Sequence, residues 1–123
     1  MNLMSEIFIG TDIIEVNRIS HSIKNYGKSF LNRIFTESEQ KYCNSCSQPQ
    51  IHFAGRFAAK EAVKKALLTS GRFSTILLKE IEIDRKQDGQ PFLNYQKNKI
   101  LHCKVSISHT LNYATAFALY LSK

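Results

Sequence analysis

The chain has 123 residues, of which 43% are apolar and 22% charged, and these proportions are ordinary for a soluble globular protein. A chain of this length builds one hydrophobic core rather than two, so we expect a single domain over residues 1–123. The N-terminal MNLMSEIFIG lacks the basic start of a signal peptide, and the apolar stretch YATAFALYL is too short to span a membrane. We therefore expect a cytoplasmic protein with no membrane partner.

The net charge of +7 predicts an acidic partner, but charge alone leaves nucleic acid, an anionic membrane, a phosphorylated cofactor and an acidic protein open. The three cysteines are an odd number, which argues against a disulfide framework and fits a reducing compartment. Cys43 and Cys46 form a C-x-x-C motif, but the sequence offers no second ligand pair at zinc-finger spacing. We interpret these cysteines as packed or surface thiols and assign them no function.

The first predicted element is a strand, EIFIGTDII, which is rich in β-branched residues. A short amphipathic helix over residues 15–26 follows, because apolar residues recur there at helical spacing and Gly27 is a typical stop. These apolar residues are Val16, Ile19, Ile23 and Tyr26. Thr36 and Glu39 then match a capping box, which predicts a second helix over about residues 37–46.

The longest predicted element is a helix that ends near Ser70 and Gly71. Its start is placed at a second capping box, formed by Ser47 and Gln50 with Pro49 between them. Beyond it, KEIEID alternates apolar and charged residues, DGQP is a turn signal, and PFLNY can return as the partner strand. KVSIS and YATAFALYL are predicted as two final strands joined by a tight HTLN connection. Helices followed by an antiparallel meander predict an α+β fold with helices packed on a sheet.

Three short stretches hold residue types typical of a binding or catalytic site. In GTDIIEVNRI, Asp12 lies near the end of the strand beside Gly10, whose missing side chain would let a ligand approach the backbone. The alternative for Asp12 is a helix N-cap, since Asp is among the preferred capping residues.

In the long helix, Glu61 and Lys65 lie roughly 40° apart around the axis, whereas Arg56 lies roughly 140° from Glu61. Glu61 and Lys65 can therefore address one ligand together, and Arg56 cannot easily join them from the same helix. The alternative is a surface salt bridge between Glu61 and Lys65.

In the third stretch, VSISHT, Ser106 and Ser108 alternate with apolar residues, so their hydroxyls face one way and His109 follows at the strand end. Ser108 and His109 do not form a hydrolase pair on this pattern, because adjacent strand residues point to opposite faces and no G-x-S-x-G motif is present. His109 better suits an anion-binding role, and a histidine satisfied within a turn is the alternative.

Together the three stretches resemble the motifs of the holo-[acyl-carrier-protein] synthase family, the small 4′-phosphopantetheinyl transferases of bacterial fatty-acid synthesis. Order and spacing agree over nearly the whole chain. The matching residues are Gly10, Asp12, Arg18 and Ile19; residues 56–62 with Lys65 and Ala66; and Ser106, Ile107, Ser108 and His109. The resemblance implies a single α+β domain that assembles as a homotrimer with its sites at the subunit interfaces. It also implies transfer of 4′-phosphopantetheine from coenzyme A to a serine of apo acyl carrier protein, with release of adenosine 3′,5′-bisphosphate.

Residue by residue, the resemblance implies that Asp12 and Glu61 bind Mg²⁺ and that Lys65 faces a phosphate. Arg56 and His109 would contact the nucleotide end of coenzyme A, including its 3′-phosphate. Mg²⁺ keeps several waters and usually takes one or two protein carboxylates, so two are sufficient. A carboxylate that coordinates Mg²⁺ is a weak base, so we leave the general base for the serine unassigned.

The family's carrier proteins are acidic, and the first helix offers a basic face opposite its apolar face. This face carries Arg18, His21 and Lys24, which we expect to bind the carrier protein. The alternative is an ordinary solvated surface.

Two other functions compete with this interpretation. A small basic nucleic-acid-binding domain would need exposed aromatic residues for stacking. Instead, Phe8, Phe53, Phe57 and Phe117 fall within apolar patterns, so we expect them in the core and expect no nucleic-acid partner. A non-catalytic module would bind coenzyme A or a carrier protein without Mg²⁺ and without transfer.

Overall fold

A computed structural model describes residues 6–96, 98–99 and 102–122, so residues 1–5, in which a signal peptide was sought, lie outside the described residues. The elements follow in the order β1 (Glu6–Glu15), α1 (Val16–Tyr26), α2 (Lys28–Ile34), α3 (Glu37–Ser45), α4 (Pro49–Thr69), β2 (Ile81–Arg85), β3 (Pro91–Tyr95), β4 (Asn98–Lys99), β5 (Cys103–His109) and β6 (Tyr113–Ser122). Helices and antiparallel strands confirm the α+β class. None of the helices in these ranges is long and apolar enough to cross a membrane.

The helix boundaries follow the predicted caps in part. The Thr36 hydroxyl accepts from the Glu39 backbone N–H, and the Glu39 carboxylate accepts from the Thr36 N–H, so this capping box is confirmed. The second box is wrong: α4 begins at Pro49, and its N-cap Gln48 makes no side-chain capping bond in the described residues. Proline suits this first position because its φ is already helical and its missing N–H is not needed there.

Two features of the helical region differ from the prediction. The short helix α2 was not predicted, and its buried residues Phe30 and Leu31 show that tertiary packing supports it. Tyr26 was placed on the apolar face of α1, but its side chain is 64% exposed. Of that face, Val16 and Ile19 are buried. Tyr26 is exposed because it lies in the last turn of α1, where the chain leaves the core.

The described strands form two sheets, in the orders β1-β6-β5 and β2-β3-β4. The predicted single meander is therefore wrong. The first strand pairs antiparallel with the last along its whole length, from Glu6 opposite Ser122 to Glu15 opposite Tyr113. This pairing leaves β1 and β5 as the two edge strands of the larger sheet.

Helix α4 crosses one face of the larger sheet from β5 to β1. Near its start, a Cβ on Gly55 would lie 3.1 Å from the Ile107 side chain on β5. Farther along, a Cβ on Gly10 of β1 would meet the Ala62 carbonyl and lie 2.9 Å from the Ala66 nitrogen. The missing side chain of Gly10 therefore makes room for α4, and the expectation that it leaves room for a ligand is wrong.

A buried ion pair between Lys60 of α4 and Glu39 of α3 connects the two helices. Lys60 Nζ lies 2.6 Å from Glu39 Oε1, and both side chains are completely buried. The same ammonium donates to the carbonyls of Ile34 and Leu78, at 2.8 and 3.1 Å. Glu39 also accepts from the Ile83 N–H of β2 at 2.8 Å, so this pair joins the helical layer to the smaller sheet.

The sheet face away from α4 is apolar and open. The β1 residues Ile7, Ile9 and Ile13 are 57–67% exposed, and Phe117 on β6 is 38% exposed. The expectation that Phe117 belongs to the core is therefore wrong, because this residue lies on the uncovered side of β6. A single domain rarely exposes so continuous an apolar surface without a partner.

Candidate active site

The first cluster of polar residues lies where α4 meets β1. Lys65 Nζ donates to the Thr11 carbonyl at 2.9 Å and lies 3.3 Å from Asp12 Oδ1. Asp12 lies inside β1, and α1 begins at Val16 with Glu15 as its N-cap. The capping alternative for Asp12 is thus wrong, and its carboxylate faces the C-terminal half of α4.

Glu61 lies one helical turn before Lys65, on the same face of α4, and is half-buried. Within the described part of the chain it makes no hydrogen bond or ion pair. The alternative salt bridge between Glu61 and Lys65 does not form, because Lys65 reaches across to β1 instead. A half-buried carboxylate without a partner beside a second carboxylate is an arrangement that can bind a cation.

The donors at this cluster fit Mg²⁺. The described residues contain no group of three or more His, Cys, Asp or Glu that could hold a metal, so protein side chains supply at most two carboxylates. A hard cation that keeps waters and takes phosphate oxygens accepts such a set, whereas a structural zinc ion requires four protein ligands.

The cysteines do not build a zinc or redox site. Cys43 and Cys103 are buried and Cys46 is half-buried, and all three thiols are free. Burial raises the pKa of the Cys43 and Cys103 thiols to about 12, so both stay protonated and unreactive near neutral pH. Their interpretation as packed thiols is confirmed.

The second cluster lines a pocket of about 520 Å³ between α3, α4, β5 and the β2–β3 hairpin. Arg56 and His109 lie in it, as do Arg85 and His52, and the described lining residues include no carboxylate. Arg56 is only 6% exposed, and its Nε has no hydrogen-bond partner among the described residues. A buried cation without a counter-ion is costly, so this pocket is suited to an anion.

His52 and His109 also line this pocket. The rings of His52 and His109 have centroids 6.0 Å apart. Burial lowers the pKa of His52, and the neighbouring His109, Arg56 and Arg85 lower it further. His52 is therefore predominantly neutral at neutral pH, and an incoming anion would favour its protonated form.

The two clusters lie on opposite sides of α4. The side with Glu61 and Lys65 faces the β1 edge of the larger sheet, whereas Arg56 faces the pocket beyond the β5 edge. Buried alanines of α4 fill the space between them, including Ala58 and Ala62. One chain therefore does not bring its own Arg56 to its own Asp12.

The remaining predicted residues lie on surfaces. Arg18, His21 and Lys24 are all exposed on α1, where His21 Nε2 lies 2.7 Å from Asn25 Nδ2. The hydroxyl side chains of Ser106 and Ser108 lie on the opposite face of β5 from His109, as their alternation predicted.

Sequence reasoning missed Tyr42, His52 and Arg85 in the pocket. His52 precedes Arg56 by four residues, and this spacing alone places both on one helix face. Tyr42 and Arg85 carry no such signal, because they meet only through the packing of α3 against β2.

Comparisons with known proteins show the family of this chain. The model of the 4′-phosphopantetheinyl transferase superfamily matches residues 8–118. A holo-[acyl-carrier-protein] synthase of Chlamydia pneumoniae is 49% identical over 123 residues, which cover 97% of this chain and 100% of that protein. Another, from Protochlamydia amoebophila (strain UWE25), is 47% identical over 122 residues, 93% of this chain and 97% of that protein. The crystal structure of a holo-(acyl-carrier-protein) synthase from Bacillus anthracis str. Ames in complex with CoA (3′,5′-ADP) has a TM-score of 0.77 and 33% identity, covering 94% of this chain and 96% of that chain.

Proposed function

Because this chain belongs to the 4′-phosphopantetheinyl transferase superfamily, we propose that Asp12, Glu61 and Lys65 of one subunit form one active site with Arg56 and His109 of a neighbour. The reaction is the transfer of the 4′-phosphopantetheine group of coenzyme A to a serine of apo acyl carrier protein, as in bacterial fatty-acid synthesis. The nucleic-acid alternative lacks support, since the similar proteins are holo-[acyl-carrier-protein] synthases and three of the four phenylalanines considered, Phe8, Phe53 and Phe57, are buried or half-buried.

The observation that carries the site assignment is the Glu61 carboxylate, unpaired among the described residues, one helical turn from the Lys65 that pairs with Asp12. Asp12 and Glu61 would hold Mg²⁺, which when bound neutralises charge on the diphosphate of coenzyme A. The Lys65 ammonium, whose side chain is 55% exposed, would add a positive charge beside the same diphosphate. Positioning and electrostatic stabilisation of this kind supply most of the catalysis in phosphoryl transfer.

The serine oxygen attacks the β-phosphorus, and the bond from this phosphorus to the bridging oxygen breaks. Adenosine 3′,5′-bisphosphate leaves with the electron pair of that bond. Arg56 and His109 would bind this leaving nucleotide through its phosphates, because their pocket is positive and contains no carboxylate among the described residues. The guanidinium donors of Arg56 match phosphate oxygens in geometry.

A ring of three subunits explains how the two clusters meet. They lie at opposite edges of the β1-β6-β5 sheet, and a repeated heterologous contact brings unlike edges of neighbouring subunits together. The open apolar face with Ile7, Ile9, Ile13 and Phe117 would be covered in such a trimer.

The carrier protein would dock on the exposed basic face of α1, which carries Arg18, His21 and Lys24. Its own negative surface would supply the complementary charge and increase the rate of encounter. A cytoplasmic location fits three free thiols.

Mass spectrometry of apo acyl carrier protein tests the transfer. Incubation with coenzyme A, Mg²⁺ and this protein should add one phosphopantetheine to the carrier. Asp12→Ala and Glu61→Gln should each lower the rate at limiting Mg²⁺ by at least about a hundredfold, the range typical when one electrostatic group is removed. Glu37→Gln, an exposed carboxylate on α3, is the matched control. Near-wild-type turnover of either site variant would contradict the metal assignment.

Subunit complementation tests the shared site. Arg56→Ala and Glu61→Gln are each expected to be inactive, and they are mixed under conditions that exchange subunits. Mixed trimers contain interfaces at which both intact residues meet, so activity should return. Absence of activity despite proven exchange, or a monomer at working concentration, would exclude the shared arrangement.

A further inference from the structure

Tyr42 of α3 lines the positive pocket, in a segment to which the sequence motifs assign no role. The Arg56 guanidinium carbon lies 4.1 Å from the centroid of the Tyr42 ring, and that of Arg85 lies 5.1 Å from it. The His52 ring packs edge-on against Tyr42, with centroids 5.9 Å apart. One side chain therefore contacts three of the four basic groups among the described lining residues of this pocket.

The contact with Arg56 replaces the counter-ion that a buried guanidinium normally has. Arg56 is 6% exposed, and its Nε is unpaired among the described residues. The Tyr42 ring stabilises the charge of the Arg56 guanidinium over it by a cation–π interaction, which is strongest where water is excluded. Because this interaction uses no hydrogen bond, the N–H groups of the guanidinium stay available for an anion.

Besides the contact with its ring, Tyr42 contacts Arg85 through its hydroxyl, so Tyr42→Phe removes only one of the two contacts. An Arg85 Nη1 group donates to the Tyr42 hydroxyl, although Arg85 is exposed at the end of β2. A Cβ on Gly89 would lie 3.0 Å from the Arg85 guanidinium, so this glycine leaves room for the arginine at the pocket wall. Without Tyr42, a long exposed side chain would be free to leave the pocket.

We propose that Tyr42 is a positioning residue whose ring and hydroxyl hold Arg56, Arg85 and His52 so that together they recognise a terminal phosphate monoester. On the proposed function, on which this inference rests, the monoester is the 3′-phosphate of coenzyme A. Such a group carries close to two negative charges near neutral pH, which suits a pocket of several basic groups and no carboxylate among its described lining residues. Burial lowers the pKa of His52, and the charge of an entering phosphate would favour its protonated form.

Calorimetric titration with two nucleotides tests this role in the full chain. Adenosine 3′,5′-bisphosphate carries the monoester in question, and adenosine 5′-monophosphate lacks it. The wild-type protein should prefer the bisphosphate. Tyr42→Leu removes the ring and should reduce this preference about tenfold, whereas Tyr42→Phe keeps the ring and should retain most of it. Tyr26→Leu, the same change at an exposed tyrosine of α1, should leave the preference unchanged.

Arg85→Gln gives a second test that does not depend on how Tyr42→Leu folds, because Arg85 is exposed. It should reduce the preference several-fold in the wild type and have little further effect in a Tyr42→Leu background, since the two residues act together. Unchanged preference in Arg85→Gln, or equal weakening of both nucleotides in Tyr42→Leu, overturns the proposal. Failure of the wild type to modify the carrier protein would instead contradict the proposed function, because nucleotide preference is measured without turnover.

Discussion

Replacement of Lys60 by methionine should strongly destabilise the protein, although the sequence places this lysine among ordinary helix lysines. Its ammonium lies 2.6 Å from the Glu39 carboxylate with both side chains fully buried. The Lys60→Met variant keeps the length and loses the charge, which leaves Glu39 buried with only backbone donors. Removal of one partner of a buried pair costs about 3–5 kcal/mol, a large share of the roughly 5–15 kcal/mol that stabilises a typical domain.

The variant should also acquire a distinctive pH dependence. Burial raises the pKa of Glu39, and Lys60 opposes this rise. Without Lys60 the folded-state pKa rises further above the ordinary value of 4.5, so folding favours the protonated carboxyl. Stability of Lys60→Met is then greatest below the unfolded pKa and is lost as pH rises through the folded pKa. A second change, Glu39→Gln, should remove this dependence and recover part of the lost stability.

Urea unfolding at about pH 5 and about pH 8 measures both effects. All variants are compared at one protein concentration, because assembly contributes to the stability of an oligomer. Lys64→Met is the matched control on the same helix, and it should stay within about 0.5 kcal/mol of the wild type. The reasoning is refuted if Lys60→Met loses less than about 1 kcal/mol, or if its pH dependence equals that of the double variant.

Three further results are expected. Gly10→Ala should destabilise the protein by at least about 2 kcal/mol in urea unfolding, because the added Cβ would meet the Ala62 carbonyl of α4. A variant as stable as the wild type would mean that β1 and α4 separate easily. Charge reversal at Arg18 or Lys24 should raise the KM for carrier protein and flatten the salt dependence of that KM, with little change in the KM for coenzyme A. An equal rise in the KM for both substrates would exclude α1 as the docking surface. Because the folded-state pKa of His52 lies below its ordinary value of 6.5, stability is lost as pH falls from that value through the lower folded-state pKa. The melting temperature of His52→Gln should therefore fall less than that of the wild type between about pH 7.5 and about pH 5.5. Equal falls would show that His52 does not titrate there.

Local sequence patterns were sufficient for most of the elements. A run rich in β-branched residues predicted β1, and the reciprocal Thr36–Glu39 pair predicted the start of α3, because both signals depend on residues a few positions apart. The motifs also led to the superfamily that the comparisons confirm. One failure has a local cause as well: Ser47 and Gln50 match a capping pattern, but Pro49 and Gln48 set the start of α4.

The sequence by itself determined which residue types are available for phosphate chemistry and which helix face carries Glu61 and Lys65. Only the tertiary structure decided that Lys65 pairs with Asp12 across to β1, that Glu61 has no partner among the described residues, and that Tyr42 lies under Arg56. Helical and strand periodicity report the direction of a side chain relative to its own element. They carry no information on which distant element that face meets, since this depends on packing β1 against β6 and α4 across the sheet.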